Sequence, residues 1–170
     1  MLKTANKGFT LIELLVVIAI IGLLSTIVVA SLSTVRKKAR DTKRVADIKS
    51  LQLALEMYFD TVRQYPTSAI FTTSGSGFYP TYIPSLPKDP TANTAYYYAG
   101  TSGTATCTGY HLGALLEDVS NAALLTDTDQ AAGAIAVCTG GGTQFTGLST
   151  DCALTAGVQG STELCYDITN

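Results

Sequence analysis

The 170-residue chain has no tryptophan and one histidine, and its four cysteines all fall in the second half. Cys107, Cys138, Cys152 and Cys165 contain no C-x-x-C pair and no zinc-finger spacing, which argues against thiolate metal binding and dithiol redox catalysis. His111 lies in a strand-like segment and reads as a packed or surface side chain, so no Ser-His-Asp or Cys-His set can be assembled and no enzyme is expected. Gly140-Gly141-Gly142 lacks the Lys-Ser/Thr and the flanking strand and helix of a phosphate loop, and no cofactor is expected. Asp127-x-Asp129 is half of a calcium loop at most, because the residue at the twelfth position is Cys138 instead of Glu. Past Gln64 the cations are almost gone, with Lys88 alone against Asp89, Glu117, Asp118, Asp127, Asp129, Asp151, Glu163 and Asp167. No proline or glycine interrupts residues 23 to 64.

What is present is concentrated at the start. An apolar run from Phe9 to Leu32 carries one carboxylate, Glu13, near its beginning. A lone charge in hydrocarbon costs several kcal/mol, about 2.5–3.5 on insertion scales, so a partner for Glu13 is required. A secretory signal peptide would have a shorter apolar region, roughly 7–15 residues, and a cleaner cleavage site than Val28-x-Ala30. A plain transmembrane anchor fits the length but leaves Glu13 unexplained.

The order of residues here is a basic leader with Lys3 and Lys7, then Gly8-Phe9-Thr10-Leu11-Ile12-Glu13, then Leu14 through Gly22 almost wholly apolar. It resembles the prepilin signature of type IV pilins and the related pseudopilins. The resemblance implies that a prepilin peptidase cuts between Gly8 and Phe9 and that Phe9 is then N-methylated. The apolar segment stays in the mature chain, and Glu13 pairs with the Phe9 ammonium of a neighbouring subunit. Such a pair fixes register, because removal of one partner strands the other. The implied partners are the peptidase, copies of the chain in a helical filament, an inner-membrane assembly platform, and membrane lipid before assembly. In type IV pilins this helix loosens between a glycine and a proline. Gly22 supplies the glycine, but Ala30 stands near the expected proline.

A near-neutral net charge of −2 conceals a basic stem and an acidic head. Arg36, Lys37, Lys38, Arg40, Lys43, Arg44 and Lys49 are set against Asp41 and Asp47 alone. By cation count this places the head in the cytoplasm; the prepilin motif and the four cysteines require the opposite, a single pass with the N-terminus inside and a filament or periplasmic head. DNA binding is the weaker reading of the stem, since no aromatics interleave its cations. The stronger reading is solvation, or pairing with the acidic heads of adjacent subunits.

Ile48, Leu51, Leu55, Tyr58 or Phe59, and Val62 recur at helical spacing, widened by Leu53, Ala54 and Met57, and Pro66 closes the segment. A helix from about Thr10 to Val62 would be roughly 75–80 Å long. Residues 65 to 95 read as loop, and Leu86-Pro87-Lys88-Asp89-Pro90 is similar to the loop after the long helix in major pseudopilins of type II secretion. Strands are expected at Ala95–Ala99, Tyr110–Leu116, Ala134–Val137 and Leu164–Ile168. The expected organisation is a removed leader (1–8), a transmembrane and filament-core helix (9–35), an amphipathic continuation (36–64) and an α+β head (65–170). In that α+β fold the second half of the long helix packs on a small antiparallel sheet, with disulfide-stapled C-terminal loops. Three disulfide connectivities are open; Cys107–Cys138 with Cys152–Cys165 would staple the core and the C-terminal loop separately. The expected function is a structural subunit of a type IV pilus-like filament. The alternatives are a pseudopilin of a type II secretion or DNA-uptake system and a monomeric membrane-anchored binding protein.

Overall fold

The computed structural model describes residues 9–75, 77–102, 105–128, 136–143, 145, 152 and 164–170, without the side chains of residues 27–31. The chain divides into two compact units, Met1–Lys37 and Lys38–Asn170. The longest element is the helix α1, Leu11–Val62.

In the first unit α1 begins at a capping box. Glu13 N–H donates to Thr10 Oγ1 at 3.3 Å, and the Glu13 carboxylate accepts from Thr10 N–H at 2.8 Å. The reciprocal bonds satisfy two of the orphan donors of a helix start. Phe9 and the large apolar side chains from Leu11 to Leu24 are exposed. Among the described residues no helix is long and apolar enough to cross a membrane. The crossing segment expected over 9–35 runs through residues 27–31, whose side chains lie outside the description.

In the second unit α1 buries one stripe: Asp41, Arg44, Ile48, Leu51, Leu55 and Tyr58, joined by Ala54. Successive steps of three and four residues keep them on one face. Leu53 and Met57, expected to widen the stripe, are 64% and 49% exposed and lie off it. The helix ends where Arg63 turns left-handed, φ 61°, with its N–H donating to Phe59 C=O at 2.7 Å, and Pro66 follows. A short helix, α2 (Ser68–Thr72), stands where only loop is expected; Thr67 caps it by accepting from Ile70 N–H. At five residues it is too short for periodicity to show.

The sheet has three antiparallel strands, β1 (Tyr97–Thr101), β2 (Gly109–Leu115) and β3 (Cys165–Thr169), in the order β1-β2-β3. Each lies within two residues of its expected place. Of the fourth expected strand, residues 134–135 are outside the description, and Val137 makes only an isolated bridge to Thr101. Tyr98, Tyr110, Leu112, Ala114, Leu116 and Tyr166 join the helix stripe in one core. Tyr98 stacks on Phe71 of α2 at 4.0 Å between ring centroids.

The sheet's other face carries a second, smaller cluster of Phe145, Cys152 and Cys165. Gly113 is glycine because Phe145 lies over it: a Cβ there would sit 2.5 Å from the ring. Cys152–Cys165 ties β3 to this layer, while Cys107–Cys138 ties the approach to β2 to a segment alongside β1. That segment covers the β1 edge through Cys138 N–H to Gly100 C=O and Gly100 N–H to Gly141 C=O.

Candidate functional site

The chain brings together two sets of groups, one in each unit. The first surrounds Glu13. Its Oε2 accepts from Thr10 Oγ1–H at 2.6 Å as well as from the backbone, and it sits in an open groove with Phe9, Ile12, Val16 and Val17. A carboxylate offers about four acceptor positions, so the local cap leaves capacity for an ammonium group. Phe9, 84% exposed, stands at the groove's end. Gly8, the other half of the expected cleavage pair, lies outside the described residues. At Gly22 the helix continues, and a Cβ built there meets nothing within 4 Å. The Thr10-x-x-Glu13 capping box is readable in the sequence as S/T-x-x-E and gives Glu13 a structural role.

The second set is an ion cluster at the upper end of the buried stripe. Arg44 is 3% exposed and uses all five of its N–H donors. Nε and Nη2 hold Asp89 at 2.6 and 3.2 Å, Nη1 holds Asp41 at 2.7 Å and Glu117 at 2.8 Å, and Nη2 also reaches Thr91 Oγ1 at 3.0 Å. Arg40 grips Glu117 with Nε at 2.7 Å and with Nη2. Asp41, fully buried, accepts the backbone N–H groups of Glu117 and Asp118 at 3.0 Å each. Asp89 also accepts from Thr91 and Ala92 N–H at 2.7 Å, which closes the Asp89–Asn93 turn.

Electrostatics follow this geometry. Burial works against the Arg44 charge, but the hydrogen bonds it donates to Asp89, Glu117 and Asp41 outweigh it and raise its pKa. For Asp89, burial is likewise the largest single influence and pushes upward, yet Arg44 and the turn amides together bring it down to about 2. Arg40 is the main cause that holds Glu117 at about 2. The basic stem is expected to be solvated or paired with the heads of adjacent subunits, whereas Arg40 and Arg44 are satisfied by acids of their own head. The signal was there: extending the stripe from Ile48 by steps of four and three lands on Arg44 and Asp41.

The remaining candidates have structural places. His111 Nε2 lies 2.6 Å from Asp167, both fully buried, and its ring stacks on Phe145. Asp127 is described and Asp129 is not; among the described residues no group of His, Cys, Asp and Glu is placed to hold a metal ion.

The prokaryotic N-terminal methylation motif matches residues 3–29. The chain is similar to type II secretion system core protein G of Klebsiella michiganensis, 39% identical over 101 residues, 53% of this chain and 71% of that protein. The Vibrio cholerae serotype O1 protein of the same name is 37% identical over 110 residues, 58% of this chain and 75% of that protein. Its Pseudomonas aeruginosa counterpart is 33% identical over 115 residues, 61% of this chain and 81% of that protein. No solved structure matches. With identity above 30% across more than two thirds of these relatives, the chain belongs to the type II secretion system core protein G family.

Proposed function

We propose that the chain is a pilin-like structural subunit, a pseudopilin of a type II secretion machine, which is cut after Gly8, methylated at Phe9 and polymerised through residues 9–35. The observation that carries this reading is the bare apolar helix of the first unit, exposed from Phe9 to Leu24 with one carboxylate in its first turn. Soluble monomers rarely expose contiguous apolar patches beyond a few hundred Å². Lipid covers that surface before assembly and other copies cover it afterwards, which puts the subunit in the cytoplasmic membrane first and in a periplasmic filament later. The Glu13 groove receives the Phe9 ammonium of the neighbouring copy. Two disulfides support a head that folds in an oxidising compartment. The same pairing removes all four cysteines from nucleophilic chemistry, and the burial of His111 removes it from solvent, in keeping with a structural and not a catalytic role.

Mass spectrometry of the native protein tests the reading at its root. The expected mass begins at a methylated Phe9; a chain that still carries Met1 through Gly8 overturns the proposal. Electron microscopy of sheared cell material and periplasm then separates the filament types. Short periplasmic polymers are expected, long surface fibres would indicate a pilus, and purely monomeric protein a tethered binding domain.

A further inference from the structure

We propose that Cys107–Cys138 is a redox latch: closed, it holds the strap 136–142 over the outer edge of β1, and opened, it frees that edge to pair with β1 of a second copy. The inference concerns the head alone and does not rest on how the helix polymerises.

The strap is held by its backbone and by one sulfur. Cys138 N–H donates to Gly100 C=O at 3.1 Å, Gly100 N–H to Gly141 C=O at 2.8 Å, and Ser102 N–H to Ala136 C=O at 2.9 Å. Among the described residues 136–142 only Cys138 and Gly141 are buried, so the Cys138 sulfur is the strap's one buried side-chain anchor. Cys107 is the fixed post, its C=O accepting from Tyr65 N–H at 2.7 Å just past α1. The bond between them spans a sequence separation of 31 residues, and without it the entropy of that loop works against the strap. Gly140 and Gly142, at φ 76° and 92°, give the strap a hinge. Phe145, beyond them, is buried on the sheet's other face, so opening moves the strap and leaves that layer in place.

What the strap covers is a strand with no protection of its own. Residues 95–102, Ala-Tyr-Tyr-Tyr-Ala-Gly-Thr-Ser, contain no charge and no proline. A stretch of that composition pairs edge to edge, whereas free edges are usually blunted by lysine or proline. The occupant follows from the same strand. Gly100 turns both its N–H and its C=O outward, so two copies in antiparallel register about Gly100 exchange both bonds and bring no like charges together.

Opening needs a dithiol reductant. Its two thiols pass two electrons and two protons to the S–S bond, giving two protein thiols and one reductant disulfide. A newly made head is in the same open state. Exchange with a disulfide donor, which leaves as a dithiol, closes the edge and keeps heads apart. Cys152–Cys165 lies at β3, on the far side of the sheet order, and serves as the control.

The test compares the full chain in detergent with Cys107→Ser/Cys138→Ser and with Cys152→Ser/Cys165→Ser. In the first pair, amide exchange at Gly100 and Ser102 should rise about tenfold or more at low concentration. It should return toward wild type as higher concentration supplies the second copy. The control pair should leave both amides protected. Ser102→Pro added to the first pair removes an outward donor and leaves the β1–β2 ladder alone, so it should abolish the concentration dependence. Gly141→Ala is a second route with the native cysteines in place: its Cβ would sit 2.2 Å from Gly100 C=O and 2.7 Å from Cys138 Sγ, which lifts the strap. If the serine pair unfolds the head, seen as lost protection at residues 48–58, Gly141→Ala decides alone. Unchanged exchange at Gly100 once the latch is broken overturns the proposal. A rise that no concentration reverses overturns it too, since the freed edge then meets no second copy.

Discussion

One substitution series can separate the observed cap at Glu13 from its proposed assembly charge. As a cap it needs only an acceptor, which glutamine supplies equally well at that position of a capping box. As the partner of a neighbour's ammonium it needs its negative charge. Glu13→Gln is therefore expected to keep the helix start yet assemble as poorly as Glu13→Ala, with leader removal intact in both. Sedimentation of assembled material together with N-terminal mass checks this; a Gln variant that polymerises like wild type reduces Glu13 to a capping residue. Arg44 makes the same point for the head. Removing it leaves Asp41 and Asp89 without their cation and Glu117 with Arg40 alone, and breaking a buried pair costs roughly 3–5 kcal/mol. Lys43, paired with Asp47 at the surface with its side chain 54% exposed, should cost about 1 kcal/mol or less on replacement by alanine. Urea unfolding of the two variants should show that contrast.

At the scale of elements, the ion cluster joins three pieces of chain: α1, the Asp89–Asn93 turn and the segment after β2. Asp89 and Glu117 both titrate near 2 in the folded head, below their ordinary 3.8 and 4.5. Lowered carboxylate values mean that the stabilisation is complete above the ordinary values and is lost as pH falls through the folded ones. Melting temperature should stay level from neutral pH down to about 5, then fall steeply toward pH 2, with a shallower fall in Arg44→Ala. Equal slopes in the two proteins would show that the acid sensitivity lies elsewhere. Most elements were legible beforehand for a physical reason. A long 3.6-residue period without proline or glycine announces α1, and Pro66 announces its end. Three of the four expected strands appear, β1 two residues and β2 and β3 one residue from their expected places; β2 is buried on both faces, so no alternation marks its ends. The ion cluster was not legible as such, since its residues lie within a run of cations that mostly face water. Neither was the Phe145 layer, which depends on a loop residue far from its target in sequence.

At the scale of the whole molecule, the sheet is held from both sides by different means. On one side α1 and its aromatic neighbours form a broad apolar core; on the other a thin layer depends on Phe145 and Cys152–Cys165. Replacing Cys152 and Cys165 together by serine should destabilise the head by about 2–5 kcal/mol and expose the Phe145 side first. Hydrogen exchange should then rise in β3 while residues 48–58 of α1 stay protected. Uniform loss of protection would mean that the thin layer is integral to the core. The family assignment rests on the N-terminal motif and on identity to the core protein G relatives, and the head built on these 133 C-terminal residues, Lys38–Asn170, agrees with it as an α+β unit under a helix.

The charged end of the helix stripe has a mechanical consequence. Oily side chains along a seam can be shifted by one turn at modest cost, because one aliphatic contact replaces another. A guanidinium locked in five directions cannot: a slip of about 5.4 Å would drag it among leucines and abandon its acids. Arg44 thus works as a tooth in a ratchet, which keeps the head from creeping along its own helix.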